Sequence, residues 1–242
     1  MKCPPPDRDP RYARQLPIIN GEGQTKLYKS RVAVVGLGGL GSIVSQYLAA
    51  AGVGHIKIID SDLVDVNNLN RQLLYDTPSI GLPKAPLAAR RLKAINPCIK
   101  VEWFQEKLDR DNINEVIGDV DLIVDCLDNW ETRLQLDEYS QRKKIPLLHA
   151  AVESFYGQVF LSIPGETACL KCIAPASTSQ RTIPVLGAIV GVIASIEASI
   201  AIKHLLGLDD DRGTLIIVDM KSNSIDKIPI DPGSCPCQAG EA

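Results

Sequence analysis

The segment Asp125-Cys126-Leu127-Asp128-Asn129-Trp130-Glu131-Thr132-Arg133 closes an apolar run, Val120 to Leu127, with an acid, an amide and a guanidinium. A carboxylate at a strand end suits Mg²⁺, which takes one or two carboxylates and fills its octahedron with phosphate oxygens and water. Upstream, Gly36-Leu37-Gly38-Gly39-Leu40-Gly41 follows the β-branched run Arg31 to Val35. Glycines there let the backbone approach phosphate or ribose, and a helix N-terminus behind them favours negative charge. Alone, that loop fits a dehydrogenase-type dinucleotide site equally well. Between the two lies a polar string, Asp62, Asp65, Asn67, Asn68, Leu69, Asn70, Arg71 and Gln72, and then Lys84. Arg71 offers a planar fork and Lys84 a point charge to a phosphoryl group. The set suits a metal-bound triphosphate better than a nicotinamide, so the expected ligand is ATP with Mg²⁺. The plainer alternatives are a solvated loop at 62–72, and a helix cap at 128–129 with a surface arginine one turn later.

The elements that must position these groups alternate. A strand at 31–35 runs through the glycines into a helix from Ser42 to Ala51, which Gly52-Val53-Gly54 ends. His55 to Asp60 is the next strand, closing on an acid about twenty residues after the loop, where a ribose acceptor sits in a βαβ unit. Helices are expected at 86–95, 113–117 and 133–143, and strands at 99–104, 120–126 and 146–150. A short helix from Gly23 to Tyr28 precedes the first strand. Strand–helix alternation predicts a Rossmann-like α/β fold with a mostly parallel sheet. After Ala150, strands at 157–162 and 214–219 flank a cysteine pair and a long apolar stretch, and extend the sheet in antiparallel fashion. Residues 1–10, rich in proline and charge, are expected to be flexible or extended. Residues 11–242 read as one domain, with the nucleotide part at 11–150 and the remainder at 151–242.

With 242 residues, 45% of them hydrophobic, the chain buries one sizeable core. A net charge of −3 leaves no footprint for nucleic acid. The N-terminus shows no apolar signal core, so a cytoplasmic location is expected. Ile183 to Leu208 is long enough to span a bilayer, but it carries Glu197, Lys203 and His204. A pair of buried core helices, with no membrane contact, is the expectation. The seven cysteines do not form a secreted disulfide framework. Cys169-x-x-Cys172 and Cys235-Pro236-Cys237 are instead two separated pairs suited to a structural Zn²⁺. Cys126 reads as a buried, inert thiol, Cys3 and Cys98 carry no motif, and none of His55, His149 and His204 is assigned to chemistry.

Arg11-Tyr12-Ala13-Arg14-Gln15, the loop Gly36 to Gly41, Asn68-Leu69-Asn70-Arg71-Gln72, Lys84, Asp128-Asn129 with Arg133, and the split cysteine pairs occur in one order. In that order the chain resembles the ThiF/MoeB/HesA family, relatives of ubiquitin-activating enzymes, from about Arg11 to Cys237. The resemblance implies an adenylyltransferase acting on the C-terminal glycine of a small ubiquitin-like sulfur-carrier protein with a Gly-Gly terminus. Such carriers feed thiamine, molybdopterin or related sulfur transfer. It also implies that Asp60 holds the ribose, and Gly36, Gly38, Gly39 and Gly41 the nucleotide backbone. Asn68, Arg71 and Lys84 would hold the phosphates, with Asn67, Leu69, Asn70 and Gln72 also in the nucleotide site, and Asn129 and Arg133 beside Asp128, the Mg²⁺ ligand. Arg14 would reach the partner subunit's ATP in a homodimer, and Cys169, Cys172, Cys235 and Cys237 would hold Zn²⁺. In-line transfer at phosphorus needs positioned positive charge more than an acid–base residue, so Arg14, Arg71, Lys84 and Asp128 are the expected catalytic set.

Two departures from the family pattern matter. The last cysteine pair is separated by Pro236 alone, where the family usually has two residues, which tightens the chelate. Some members carry a cysteine on the loop where this chain has Gln180, followed by Arg181 and Thr182. Adenylation without a catalytic cysteine is therefore expected, the acyl-adenylate passing to an external thiol or persulfide. With the chain ending at Ala242, a separate sulfur donor is expected. The rival readings are adenylation of another acyl substrate such as a peptide C-terminus, or of a tRNA base, and a non-catalytic nucleotide-binding scaffold. A nicotinamide-dependent oxidoreductase comes last, because no acid–base pair for hydride transfer presents itself.

Overall fold

A computed structural model describes residues 3–174, 184–208 and 210–235. One eight-stranded sheet runs through it in the order β3-β2-β1-β4-β5-β6-β7-β8. The strands β1 (Arg31–Val35), β2 (His55–Ile59), β3 (Lys100–Phe104), β4 (Leu122–Asp125) and β5 (Leu147–Glu153) pair in parallel. Then β6 (Tyr156–Ser162), β7 (Thr214–Asp219) and β8 (Ser224–Pro229) continue it antiparallel. From β1 the chain moves outward to β2 and β3, then returns to the other side of β1 for β4. The carboxyl ends of β1 and β4 therefore flank a topological switch point, where open α/β sheets form their ligand crevice.

Alternation along each parallel strand supplies two apolar faces. Val32 and Val34 face α2 (Gly39–Ala51), α3 (Lys84–Ile95) and α6 (Gly187–Leu206), in a core with Leu48, Leu92 and Ile193. Ala33 and Val35 face α4 (Ile113–Ile117) and α5 (Trp130–Lys143), in a second core with Ile117, Leu136 and Tyr139. Both faces of the parallel region are covered, as such strands require.

The Rossmann-like reading holds, and four differences have local causes. The apolar stretch after residue 183 forms one helix rather than two, because nothing between Gly187 and Leu206 breaks it before Gly207 adopts a left-handed cap. Among the described residues, α6 is long and apolar enough to cross a membrane by length and composition. Here it packs on α2 and against β5 and β6, so its all-round apolarity serves the interior. The helix expected from Gly23 begins earlier: α1 spans Leu16–Lys29, with Asn20 at φ 54° dividing it. The Asn20 carboxamide oxygen accepts the Glu22 and Gly23 amides at 2.9 and 3.0 Å, capping the second half. Strand β8 went unread because its mostly exposed Ser-Ile-Asp-Lys-Ile-Pro run lacks a continuous apolar signal.

The fourth difference is at the N-terminus. Described residues 3–10 include a 3₁₀ turn at Pro6–Arg8, and a second at Pro10–Tyr12 is capped by Asp9. Tyr12 is buried, and its hydroxyl accepts a hydrogen bond from the Asn96 side chain at 2.8 Å. That docking brings Cys3 to Cys98, and the two are joined in a disulfide with Cα atoms 5.6 Å apart. The sequence reading gave neither cysteine a role, since a pairing across 95 positions has no local signal.

Candidate nucleotide and metal sites

The glycine loop is shaped by contact with the chain itself. Gly36 has φ +91°, and a Cβ there would lie 2.6 Å from the Cys126 carbonyl oxygen. A Cβ on Gly41 would overlap the Gly36 carbonyl. These two glycines thus let the turn close and let α2 start tight against β4. Gly39 faces Val190 of α6, while Gly38 has only the Gln72 side-chain nitrogen within ordinary contact distance.

Asp60, just beyond β2, holds this loop. One carboxylate oxygen accepts the Leu37 amide at 2.7 Å, and the other accepts the Asp62 amide at 2.8 Å. Burial pushes its pKa up, opposed by Lys84 and these two amides. Tyr75 secures the other side: its buried hydroxyl donates to the Leu37 carbonyl at 3.0 Å. Sequence reasoning missed Tyr75, and the one available signal was that a buried tyrosine needs a hydrogen-bond partner.

The polar string has internal order before any ligand arrives. Asp65 and Asn68 form a reciprocal capping box over the 3₁₀ turn Val66–Asn68, and the Asn68 amide nitrogen donates to Asn67 Oδ1 at 2.7 Å. Arg71 donates to the Asn67 carbonyl at 2.8 Å and to Asn70 Oδ1 at 3.0 Å. Leu69 is half-buried and Asn70 exposed, with the Asn70 backbone lying against Gly187 at the start of α6. Lys84 opens α3, is only 4% exposed, and has its ammonium 3.1 Å from Asp62. Gln72 is 3% exposed, and its Oε1 finds no hydrogen-bond partner. A buried acceptor without a donor costs about 1–3 kcal/mol.

Beyond β4, Asp128 and Asn129 are exposed. Asn129 caps α5 by accepting the Thr132 amide at 2.9 Å. Arg133 is no surface arginine. The residue is 5% exposed, and its guanidinium donates to the Leu127 carbonyl and, at 3.1 Å, to that of Ala150. His149 is buried and hydrogen-bonded. Arg14 is exposed and makes no hydrogen bond or ion pair among the described residues.

The second cluster is made of sulfur. The Sγ atoms of Cys169, Cys172 and Cys235 all lie within 4.8 Å of one another. Cys169 and Cys235 are buried and Cys172 half-buried. Burial and the neighbouring Cys235 push the Cys172 thiol up, and three sulfur donors crowded together suit a soft cation that takes thiolates. Asp137 of α5 accepts the Leu170 amide at 3.2 Å and fixes the turn that carries the first pair. Cys237, and the loop residues Gln180, Arg181 and Thr182, lie outside the described residues.

A mostly parallel α/β sheet with a glycine loop at its switch point, a ribose-type acid on the next strand and a buried lysine nearby defines a nucleotide-binding protein. The chain matches the ThiF family over residues 12–239 and belongs to it. It is 38% identical over 234 residues to the Thermus thermophilus sulfur carrier protein adenylyltransferase, covering 91% of this chain and 86% of that one. It is 36% identical to the Escherichia coli sulfur carrier protein ThiS adenylyltransferase, with 97% of both chains covered. A crystal structure of E. coli MccB with ATP has the same fold, at a TM-score of 0.84 and 21% identity, over 98% of this chain and 76% of that one.

Proposed function

We propose that the protein is an adenylyltransferase that uses ATP to activate the C-terminal carboxylate of a ubiquitin-like sulfur-carrier protein. The observation that carries this reading is the Asp60-braced glycine loop at the carboxyl ends of the parallel strands, with the buried Lys84 close by, in a chain that belongs to the ThiF family. A carrier carboxylate oxygen attacks the α-phosphorus, the bond to the β-phosphate bridging oxygen breaks, and pyrophosphate leaves with that electron pair. The products are an acyl-adenylate and pyrophosphate. Gly36, Gly38, Gly39 and Gly41 admit the nucleotide, Asp60 takes the ribose hydroxyls, and Asn67, Asn68, Leu69, Asn70 and Gln72 line its path. Arg71 and Lys84 carry the positive charge that a phosphoryl transition state needs. Bound Mg²⁺ would neutralise phosphate charge, with Asp128 as its carboxylate ligand and Asn129 and Arg133 shaping that loop.

Arg14, exposed and unengaged, is assigned to the partner's ATP in a homodimer. Cys169, Cys172, Cys235 and Cys237 are assigned to a structural Zn²⁺. The acyl-adenylate passes to an external thiol or persulfide from a separate sulfur donor, and the protein works in the cytoplasm. The test is ATP–pyrophosphate exchange with Mg²⁺ and candidate carriers ending in Gly-Gly. Exchange is expected only with a carrier, and Lys84→Ala is expected to lower it by about 100-fold or more. ATP binding without exchange for any carrier would favour a scaffold. Exchange with a short free peptide but no carrier would move the substrate to another acyl group.

A further inference from the structure

Five buried or half-buried polar side chains beneath the Asp128 loop have no place in that mechanism: Asp125, His149, Gln158, Glu197 and Cys126. Asp125 ends β4 with 0% exposure, directly across from His149 in β5. One of its carboxylate oxygens accepts the Leu127 amide at 3.1 Å. The other lies 2.7 Å from His149 Nδ1 and 3.4 Å from Arg133 Nε. The far nitrogen of the ring, Nε2, is 3.1 Å from the Gln158 side-chain nitrogen in β6. Trp130 covers the group, its ring 5.6 Å from the imidazole and 5.3 Å from the guanidinium.

The chemistry of the donors fixes the imidazole. A glutamine NH₂ can only donate, so His149 Nε2 must accept, and the single proton of a neutral ring sits on Nδ1 facing Asp125. Burial, then Arg133, holds the His149 pKa down, against the pull of Asp125. Glu197, facing this group from α6, has both carboxyl oxygens 3.7 Å from Cys126 Sγ. Burial pushes Glu197 well up. One buried ion pair remains, Asp125 with Arg133, and its two members hold the two polar backbone groups of Leu127. Asp125 takes the N–H, and Arg133 takes the C=O that belongs to the 127–128 peptide. The orientation of that peptide sets the direction in which Asp128 leaves the sheet.

We propose that His149, braced by Gln158, is a positioning residue for Asp128: by donating Nδ1–H to Asp125 it locks the carboxylate that clamps Leu127. A buried carboxylate deprived of that donor would turn towards Arg133 and release one or both backbone contacts. The inference deepens the adenylation reading and rests on it only where turnover is concerned.

The experiment compares two substitutions that split the imidazole. His149→Asn keeps an amide nitrogen near the place of Nδ1, whereas His149→Gln moves it towards the place of Nε2. In the nucleotide-free wild-type chain, ¹⁵N-histidine NMR is expected to show His149 neutral and Nδ1-protonated at pH 7. Hydrogen exchange over residues 126–132 is expected to speed up about tenfold in H149Q, the equivalent of one lost hydrogen bond to a charged group. H149N is expected to restore most of the protection. With carrier, Mg²⁺ and ATP, H149Q is expected to lower kcat by about 10- to 100-fold while the KM for ATP stays within about threefold, as misplacement of a catalytic group does. H149N is expected to recover most of that loss. Equal behaviour of the two variants in hydrogen exchange would overturn the proposal, as would an Nε2-protonated ring. Should H149Q fail to fold, Gln158→Leu decides: a mixture of tautomers with weaker protection at 126–132 supports the relay, and unchanged protection sinks it. The NMR and exchange measurements need no turnover, so failure of the adenylation reading would leave them standing.

Discussion

The nucleotide crevice and the cysteine cluster are built on opposite principles. In the crevice, parallel strands deliver Gly36, Asp60 and Asp128 to adjacent ends of one sheet, and hydrogen bonds within the chain hold the loops. Asp60 and Tyr75 brace Leu37 from two sides, and Asp65 with Asn68 caps its own turn. In the cluster, residues from two distant loops meet through three sulfur atoms, with Asp137 fixing one of those loops. The loops of the crevice are braced by bonds within the chain, whereas the two loops of the cluster meet at sulfur atoms that we assign to a metal. A protein can be pre-organised at one end of its sheet and ligand-assembled at the other, because a sheet supplies backbone partners that loops lack.

Removing the proposed metal is the largest test of that contrast. Exhaustive chelation under reducing conditions is expected to lower Tm by about 10 °C or more, corresponding to several kcal/mol of binding free energy lost from the folded state. ATP affinity, followed by calorimetry, is expected to stay within about threefold if the crevice stands on its own. Loss of ATP binding together with the metal would break the comparison and make the two regions one cooperative unit. Cys169→Ser is expected to reproduce the chelated state, and metal content by mass spectrometry checks it.

Gly41→Ala is the reciprocal test. The new methyl would overlap the Gly36 carbonyl, and the loop can yield only by separating α2 from β4. Destabilisation of about 3 kcal/mol is expected, as for other steric insertions into a closed core. ATP binding should disappear, while metal stoichiometry stays at the wild-type value. A variant that binds ATP normally would mean that the turn relaxes freely and is not pre-organised.

The contrast also explains what could be read from the sequence. Glycine spacing, β-branched runs and the acid at position 60 are local signals, and they led to the parallel sheet and the polar string, while the switch point needs the strand order. Side-chain employment was less legible. Asn129 and Arg133 look alike as polar residues near a strand end, yet one caps a helix and the other lies buried beneath Leu127. Tyr75 and the Cys3–Cys98 bridge were invisible because each depends on a partner far away in sequence. The cysteine pairs were legible through their spacing alone, which says what could bind and nothing about how the intervening loops are held.

Asp211 gives the smallest test, and it asks whether the extension is held by anything besides the proposed metal. Its carboxylate receives Lys203 of α6 and Lys227 of β8, each at 2.6 Å, tying the end of the long helix to the last strand. Those two hydrogen bonds lower its pKa below the ordinary carboxylate value, with burial working against them. A depressed folded-state pKa means that the stabilisation is complete above the unfolded value of about 3.9 and is lost as pH falls through the lower folded value. Both lysines are partly exposed, at 37% and 58%, so solvent screening limits the effect to about 1 kcal/mol or less. Asp211→Asn is therefore expected to lower Tm by about 2–4 °C at pH 7, with the gap closing below pH 4 and narrowing in high salt. A gap that persists at low pH would assign the contribution to packing. No gap at any pH would leave the metal as the main fastening of this end of the sheet, and would widen the difference from the self-braced crevice.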